Sequence, residues 1–189
     1  MKILIFGAGA VGGYFGGRLA QIGVNVTFFV RKNRASQIKQ SGLKIFSPHG
    51  DFKVKVNIKT INEEPEEFDL VVLTCKAFNL KSACSDIKKV VAGQTMILPL
   101  LNGISHINIL STIFGKKNVL GGAAHIAAVL SDDGIISQLN PIQILTVGNL
   151  NEYTSSVSSV FVKLCESANF SVILSNNIVI FSVYEKKII

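Results

Sequence analysis

The chain has 189 residues, of which 48% are hydrophobic and 16% charged, with a mean hydropathy of +0.43. That composition excludes a disordered segment, because it must bury a core, and the length fits one domain, or one domain with part of a second, and not a large multi-domain machine. The formal net charge of +7 is local: residues 31 to 59 hold eight basic side chains, Arg31, Lys32, Arg34, Lys39, Lys44, Lys53, Lys55 and Lys59, against Asp51 alone. Such a segment suits a phosphorylated ligand or a polyanion, or is a solvated lysine-rich surface. Nucleic acid is the weaker partner, since no aromatic stacking array or helix-turn-helix pattern accompanies the charge.

The stretches 90–115, 134–151 and 167–184 carry no Asp, Glu, Lys or Arg. Each is interrupted by groups that are costly in hydrocarbon or break a helix, among them Pro99 and Asn102, Asn140-Pro141, and Asn176-Asn177, so they read as buried strands and turns and not as membrane spans. The N-terminal apolar run dissolves into seven glycines between Gly7 and Gly23, which argues against a secretory leader. Cys75, Cys84 and Cys165 are odd in number and have no zinc-ligand spacing, which points to a reducing, cytoplasmic setting without a structural metal. His49, His106 and His125 form no triad or metal spacing and read as structural or surface residues.

In chain order, Lys2 to Phe6 is a continuous apolar strand that runs into Gly7-Ala8-Gly9-Ala10-Val11-Gly12. The helical run Val11 to Ile22 follows, then a β-branched and aromatic strand from Val24 to Val30. A GxGxxG placed between a strand and a helix inside such a βαβ unit is a dinucleotide-binding arrangement. Gly7 makes the tight turn, Gly9 admits the pyrophosphate, Gly12 lets the helix approach the strand, and the helix N-terminus attracts the anion. Gly13, Gly16 and Gly17 extend the close helix packing.

Next come a short helix (Asn33 to Gln40), a strand pair (Leu43 to Phe46 and Phe52 to Ile58) and an acidic loop, Glu63 to Glu67. Asp69 to Thr74 reads as a strand, Asn79 to Val91 as an amphipathic helix, Thr95 to Leu98 as a strand, Ile104 to Phe114 as a helix and Val119 to Leu130 as a long strand. Asp132-Asp133-Gly134 is a hairpin turn leading to strands at Ile135 to Gln138 and Ile142 to Val147. Glu152 to Ala168 is a helix, Ser171 to Leu174 a strand, and Asn177 opens another helix. The class is α/β, a Rossmann-type doubly wound sheet over residues 1–174, with residues 175–189 beginning a second, all-helical domain.

The end of the second strand chooses the cofactor. An NAD site places Asp or Glu there to hold the ribose 2′-hydroxyl, whereas this chain places Arg31, 19 residues after Gly12. A planar guanidinium suits a 2′-phosphate, so NADP (NADPH) is expected.

GAGAVGG at the N-terminus, Arg31, Thr74-Cys75-Lys76-Ala77-Phe78, Leu101-Asn102-Gly103, the Gly121-Gly122 strand and the Asp132-Asp133-Gly134 hairpin together resemble the ketopantoate reductase (2-dehydropantoate 2-reductase) family, nearly throughout the chain. The resemblance implies NADPH-dependent reduction of ketopantoate, a small 2-keto acid, in pantothenate synthesis. It implies that Gly7 to Gly12, Arg31 and Lys76 bind the cofactor, that Asn102 lies near nicotinamide and substrate, and that Lys186, in Tyr184-Glu185-Lys186, is the catalytic lysine; a Tyr stands where Trp is commoner. On the residues alone, Lys76 also reads as a surface lysine, Asn102-Gly103 as a turn and Lys186-Lys187 as a basic tail. Ketone reduction needs a proton for the developing alkoxide, which a lysine ammonium can donate.

The resemblance further implies a helical domain of roughly a hundred residues that completes a substrate site between domains. Ile189 falls just inside it, so impaired turnover and self-association through an exposed apolar helix, or a homodimer, are expected. The alternatives are another NADP-linked 2-hydroxy-acid dehydrogenase, and a non-catalytic NADP-binding sensor or regulatory module.

Overall fold

Short runs of consecutive apolar residues occupy the middle of the molecule, because a strand covered on both faces has no wet side to present. The computed structural model describes residues 1–151 and 154–175. Its elements begin with β1 (Ile3–Phe6), α1 (Ala10–Gln21), β2 (Val26–Phe29), α2 (Lys32–Ser41), β3 (Leu43–Phe46), β4 (Phe52–Val54), β5 (Asn57–Lys59), β6 (Glu66–Glu67) and β7 (Leu70–Leu73). They continue with α3 (Leu80–Val90), β8 (Val91–Ala92), β9 (Met96–Pro99), α4 (Ser105–Phe114), β10 (Gly121–Leu130), β11 (Ile135–Gly148), α5 (Ser155–Glu166) and β12 (Ser171–Ser175).

The parallel sheet has the order β5-β2-β1-β7-β9; counted by appearance within the sheet this is 3-2-1-4-5, the doubly wound Rossmann arrangement. Its central strand β1 pairs with both β2 and β7, Ile3 lying beside Val26 and Leu70. Side chains alternate across it. Ile3 and Ile5 join the core cluster that holds Tyr14, Phe15 and Leu19 of α1, while Leu4 and Phe6 join the one that holds Leu80, Ile87 and Leu110 of α3 and α4. Successive connections leave β1 in opposite directions, which opens a crevice at the carboxyl ends of β1 and its neighbours.

A second sheet, β10-β11-β3-β4 with β12 beside β11, lies on the far side of α1. The helix is therefore covered from two sides, and its glycines serve both. A Cβ on Gly16 would stand 2.7 Å from Phe28 and 2.8 Å from Ile5, whereas one on Gly13 would stand 2.2 Å from Ile136 and one on Gly17 2.5 Å from Ile45. A buried polar layer joins α1 to this second sheet. The Tyr14 hydroxyl lies 2.7 Å from the Gln138 carboxamide oxygen and also meets that of Gln143. Arg18, only 2% exposed, donates to Ser47 Oγ at 3.0 Å and to the Gly50 carbonyl at 3.2 Å, with its guanidinium 4.4 Å over the Phe52 ring.

Three expected elements are divided or joined differently. The strand expected from Phe52 to Ile58 splits: β4 pairs antiparallel with β3 in the second sheet, and β5 pairs parallel with β2 at the edge of the first. The strand expected from Val119 also changes sheet, since Val119 bridges Ile97 before β10 begins at Gly121. The two strands expected either side of Asn140-Pro141 are one, β11, whose pairing with β10 slips there: Ile126 faces Gln143 and Ala128 faces Gln138. Residues 139–142 thus bulge opposite Ala127, and Pro141 loses no ladder bond. Gln138 Nε2 donates to the Ile142 carbonyl, and the Ile142 N–H to Asn140 Oδ1, both at 3.1 Å.

No helix among the described residues is long and apolar enough to cross a membrane. The expected helix from Asn177 and Lys186 lie outside the described residues.

Candidate functional site

The loop between β1 and α1 is shaped by contacts to the end of β7. Gly7 has φ +109°, a left-handed value that side chains resist. The Thr74 hydroxyl donates to the Phe6 carbonyl at 3.0 Å, with the Gly7 carbonyl at 3.3 Å. A Cβ on Gly12 would lie 2.3 Å from both the Gly7 carbonyl and Thr74 Oγ1, so α1 can start this close to the strand only with glycine there. Gly9 differs: nothing lies within 4 Å of where its Cβ would be. Packing does not demand that glycine, and the space it leaves is what a pyrophosphate would enter.

Gly9 is the N-cap of α1, and its carbonyl accepts from the Gly13 N–H at 2.8 Å. The N–H groups of Gly9, Ala10, Val11 and Gly12 have no acceptor among the described residues. Free donors at a helix start, with the aligned helix dipole behind them, attract an anion.

In front of this loop is a cleft of about 1270 Å³. Gly7, Ala8 and Gly9 line it, as do Phe6 and Phe29, whose rings stack at 4.5 Å and 14°. The start of α2 forms one wall, with Arg31, Lys32 and Arg34; Thr60 to Glu63, Cys75 with the start of α3, and Leu130 to Asp132 of the hairpin complete it. Arg31 is the residue before α2, in extended conformation. Its side chain is exposed and makes no hydrogen bond or ion pair with the described residues, which leaves its five donors for a ligand.

The basic segment 31–59 does not act as one patch. Arg31, Lys32, Arg34 and Lys39 line the cleft, but Lys59 is buried, donating to the Glu64 carbonyl at 2.5 Å and pairing with Glu66 at 3.6 Å. Lys44 and Lys53 sit opposite one another in the second sheet. Arg34 is absorbed by the fold: its Nε donates to the Ala8 carbonyl at 3.0 Å and its Nη1 to the Gly134 carbonyl at 2.9 Å. Burial lowers its pKa from the ordinary value.

Cys75 borders the cleft, and burial, followed by the nearby Cys84, pushes its thiol up to about 11. It is a neutral thiol near pH 7 and not an activated nucleophile. Lys76 is exposed just after it, its Nζ 6.0 Å from the ring of Phe78, which is 80% exposed. Asn102 is exposed in the turn after β9, and neither Lys76 nor Asn102 lines the cleft that holds Arg31. The structure thus brings Gly7, Ala8, Gly9 and Arg31 together and leaves Lys76 and Asn102 at the ends of β7 and β9. Sequence reasoning missed the Phe6 and Phe29 floor, the Thr74 tether and the Arg34 contacts. Only Thr74 had a local signal, its place at the end of a buried strand.

This fold and cleft define a dinucleotide-binding α/β protein of the Rossmann class. Residues 3–152 match the family model described as ketopantoate reductase PanE/ApbA, and the chain belongs to that family. Among curated relatives, an uncharacterized oxidoreductase, YkpB of Bacillus subtilis (strain 168), is 38% identical over 151 residues, covering 80% of this chain and 50% of its own. The 2-dehydropantoate 2-reductase of Pyrococcus horikoshii is 34% identical over 137 residues, covering 72% of this chain and 44% of its own. The chain spans about half the length of these relatives. Among solved structures, D-mandelate dehydrogenase with NADH and anilino(oxo)acetate superposes with a TM-score of 0.86 at 28% identity, over 98% of this chain and 60% of that one. The putative 2-dehydropantoate 2-reductase of Enterococcus faecalis gives 0.85 at 27%, with the same coverage.

Proposed function

We propose that this chain is the NADPH-binding part of a reductase that converts a small 2-keto acid, ketopantoate first among them, to the 2-hydroxy acid. The observation that carries the cofactor choice is Arg31: exposed, without a partner among the described residues and on the wall of the glycine-loop cleft, where a carboxylate would be expected for NAD. The residues present fit a dinucleotide. Gly9 leaves space, the free N–H groups of α1 can receive the pyrophosphate, and the stacked Phe6 and Phe29 form an apolar floor.

In this reading residues 1–174 form the cofactor domain, and residues 175–189 begin the helical domain that supplies the rest of the substrate site. Bound NADPH supplies the hydride. Lys76 contacts the cofactor from the end of β7, Asn102 orients nicotinamide and substrate from the end of β9, and Lys186 donates the proton that the developing alkoxide requires, its ammonium stabilising that charge before transfer. The match with D-mandelate dehydrogenase, solved with NADH, favours a second reading, a 2-hydroxy-acid dehydrogenase for another acid.

Titration with NADPH and NADH, followed by turnover with ketopantoate and other 2-keto acids, separates these readings. Arg31→Ala should weaken NADPH binding by roughly 1.5 to 3 kcal/mol, the range for a hydrogen bond to a charged group, and leave NADH nearly unchanged. Equal loss for both cofactors would refute the 2′-phosphate assignment, and turnover confined to another keto acid would favour the second reading.

A further inference from the structure

Arg34 stands one helical turn after Arg31, yet it meets two backbone carbonyls from distant parts of the chain. Its Nε–H donates to the Ala8 carbonyl at 3.0 Å, inside the glycine loop, and its Nη1–H to the Gly134 carbonyl at 2.9 Å, in the hairpin turn between β10 and β11. The hairpin is built for this approach. Gly134 has φ +84°, and a Cβ there would fall 2.5 Å from Arg34 Nη1. Gln37, on the same face of α2, donates from Nε2 to the Asp132 carbonyl at 2.9 Å. Arg34 Nη1 also donates to Gln37 Oε1 at 3.2 Å, and Nη2 is buried without an acceptor among the described residues, so the guanidinium gives up one donor site to hold these contacts.

The Ala8 contact reaches the anion-binding donors through one peptide plane. No peptide in the described chain is cis, and a trans peptide directs its C=O and N–H to opposite sides. A carbonyl of Ala8 held towards Arg34 therefore turns the Gly9 N–H the other way, and that N–H has no acceptor among the described residues. Without the guanidinium the Ala8-Gly9 peptide could rotate, with little to oppose it on the open side of Gly9.

We propose that Arg34 is a positioning residue for the dinucleotide pyrophosphate: it sets the Ala8-Gly9 peptide, and it does so from a guanidinium anchored on the β10–β11 hairpin of the second sheet. This rests on the reading of the cleft as an NADPH site. A single ammonium cannot span both carbonyls, so lysine should not replace it.

The test uses titration calorimetry of the wild type, Arg34→Ala and Arg34→Lys with two probes: NADPH, and adenosine 2′-monophosphate, which carries the 2′-phosphate but no pyrophosphate. Both variants should lose about tenfold in NADPH affinity, the scale of one hydrogen bond, while adenosine 2′-monophosphate changes by less than about twofold. Arg31→Ala should weaken both probes. If Arg34→Ala does not fold, as judged by circular dichroism, Arg34→Gln takes its place. Unchanged NADPH affinity overturns the proposal, as does an equal loss for both probes, which would mean that Arg34 acts by placing α2 and Arg31. Full rescue by lysine would overturn the two-carbonyl anchor. A wild type that binds neither probe would instead remove the NADPH reading of the cleft, and this proposal with it.

Discussion

The two sheets that enclose α1 are built from different chemistry. In the parallel sheet β1, β2 and β7 are apolar along almost their whole length and buried at every position, and α1 meets them through side chains and through Gly16, which makes room for Phe28 and Ile5, while Gly12 faces the Gly7 carbonyl and Thr74. In the second sheet burial alternates along β3 and the first part of β11, and the interface with α1 holds a polar layer of Tyr14, Arg18, Gln138 and Gln143. One side of the helix is thus held by shape and the other by shape plus buried hydrogen bonds, although Arg18 Nε is left without an acceptor among the described residues. The consequence is that glycines with the same role in sequence differ in how far they tolerate a methyl group.

The largest effect is expected at Gly12. Its absent Cβ would overlap the Gly7 carbonyl and Thr74 at 2.3 Å, and neither a backbone oxygen in a tight turn nor a tethered threonine can withdraw. Gly12→Ala should cost more than about 3 kcal/mol in urea unfolding, beyond ordinary overpacking. Gly13→Ala is the counterpart on the second sheet, where the obstacle is the Cδ1 end of Ile136 at 2.2 Å. That atom belongs to a side chain, so the cost should be about 1 to 3 kcal/mol. Adding Ile136→Val, which deletes the obstructing methyl, should return part of it, giving a non-additive double-mutant cycle. Additive losses would show that the helix meets the second sheet elsewhere.

Gly9→Ala should separate binding from folding. With φ −79° and ψ −164° the backbone suits any residue, and open space surrounds the new methyl, so the melting temperature should hold or rise with a gain of about 0.4 to 1 kcal/mol. NADPH affinity in the same protein should fall about tenfold or more, because the methyl occupies the pyrophosphate's approach. A destabilised Gly9→Ala protein would erase the distinction between the packing glycines and the ligand glycine.

The smallest effect concerns the rim of the parallel sheet. Glu66 accepts from the Lys2 ammonium at 2.5 Å and lies 3.6 Å from that of Lys59. The Lys2 hydrogen bond is the largest influence on its carboxyl; desolvation opposes it, and the charges of Lys2 and Lys59 add to it, so that the carboxyl is held below the usual range. A depressed folded pKa contributes stability above the unfolded value, and that contribution disappears as the pH falls through the folded value. Thermal midpoints measured from about pH 6 down to pH 3 should therefore fall slightly less steeply in Lys2→Ala than in the wild type, a small difference because solvent screens the pair.

How much was legible follows from the same contrast. The order of strands and helices, the glycine turn and the position of Arg31 could be read because each depends on local physics. A both-faces-buried strand is an apolar run, an amphipathic helix such as α3 repeats Leu80, Ala83, Cys84 and Ile87 on one face, and a dinucleotide turn needs its glycines within six residues. The strand from Phe52 was misread as one piece because Lys55-Val56 carries no turn residue, and only the pairing of β4 with β3 and of β5 with β2 divides it.

By itself the sequence determined the α/β class, the βαβ unit and the place of an arginine at the end of its second strand, since each depends on spacing along one stretch of chain. Only the tertiary structure decided that α1 lies between two sheets, that Gly13 and Gly17 face Ile136 and Ile45 while Gly16 faces Phe28, and that Lys59 is buried on Glu66. It also decided that Arg34, one turn from Arg31, reaches Gly134 a hundred residues later. These contacts join segments far apart in the chain, and residues that meet only after folding leave no periodicity in the sequence for local patterns to report.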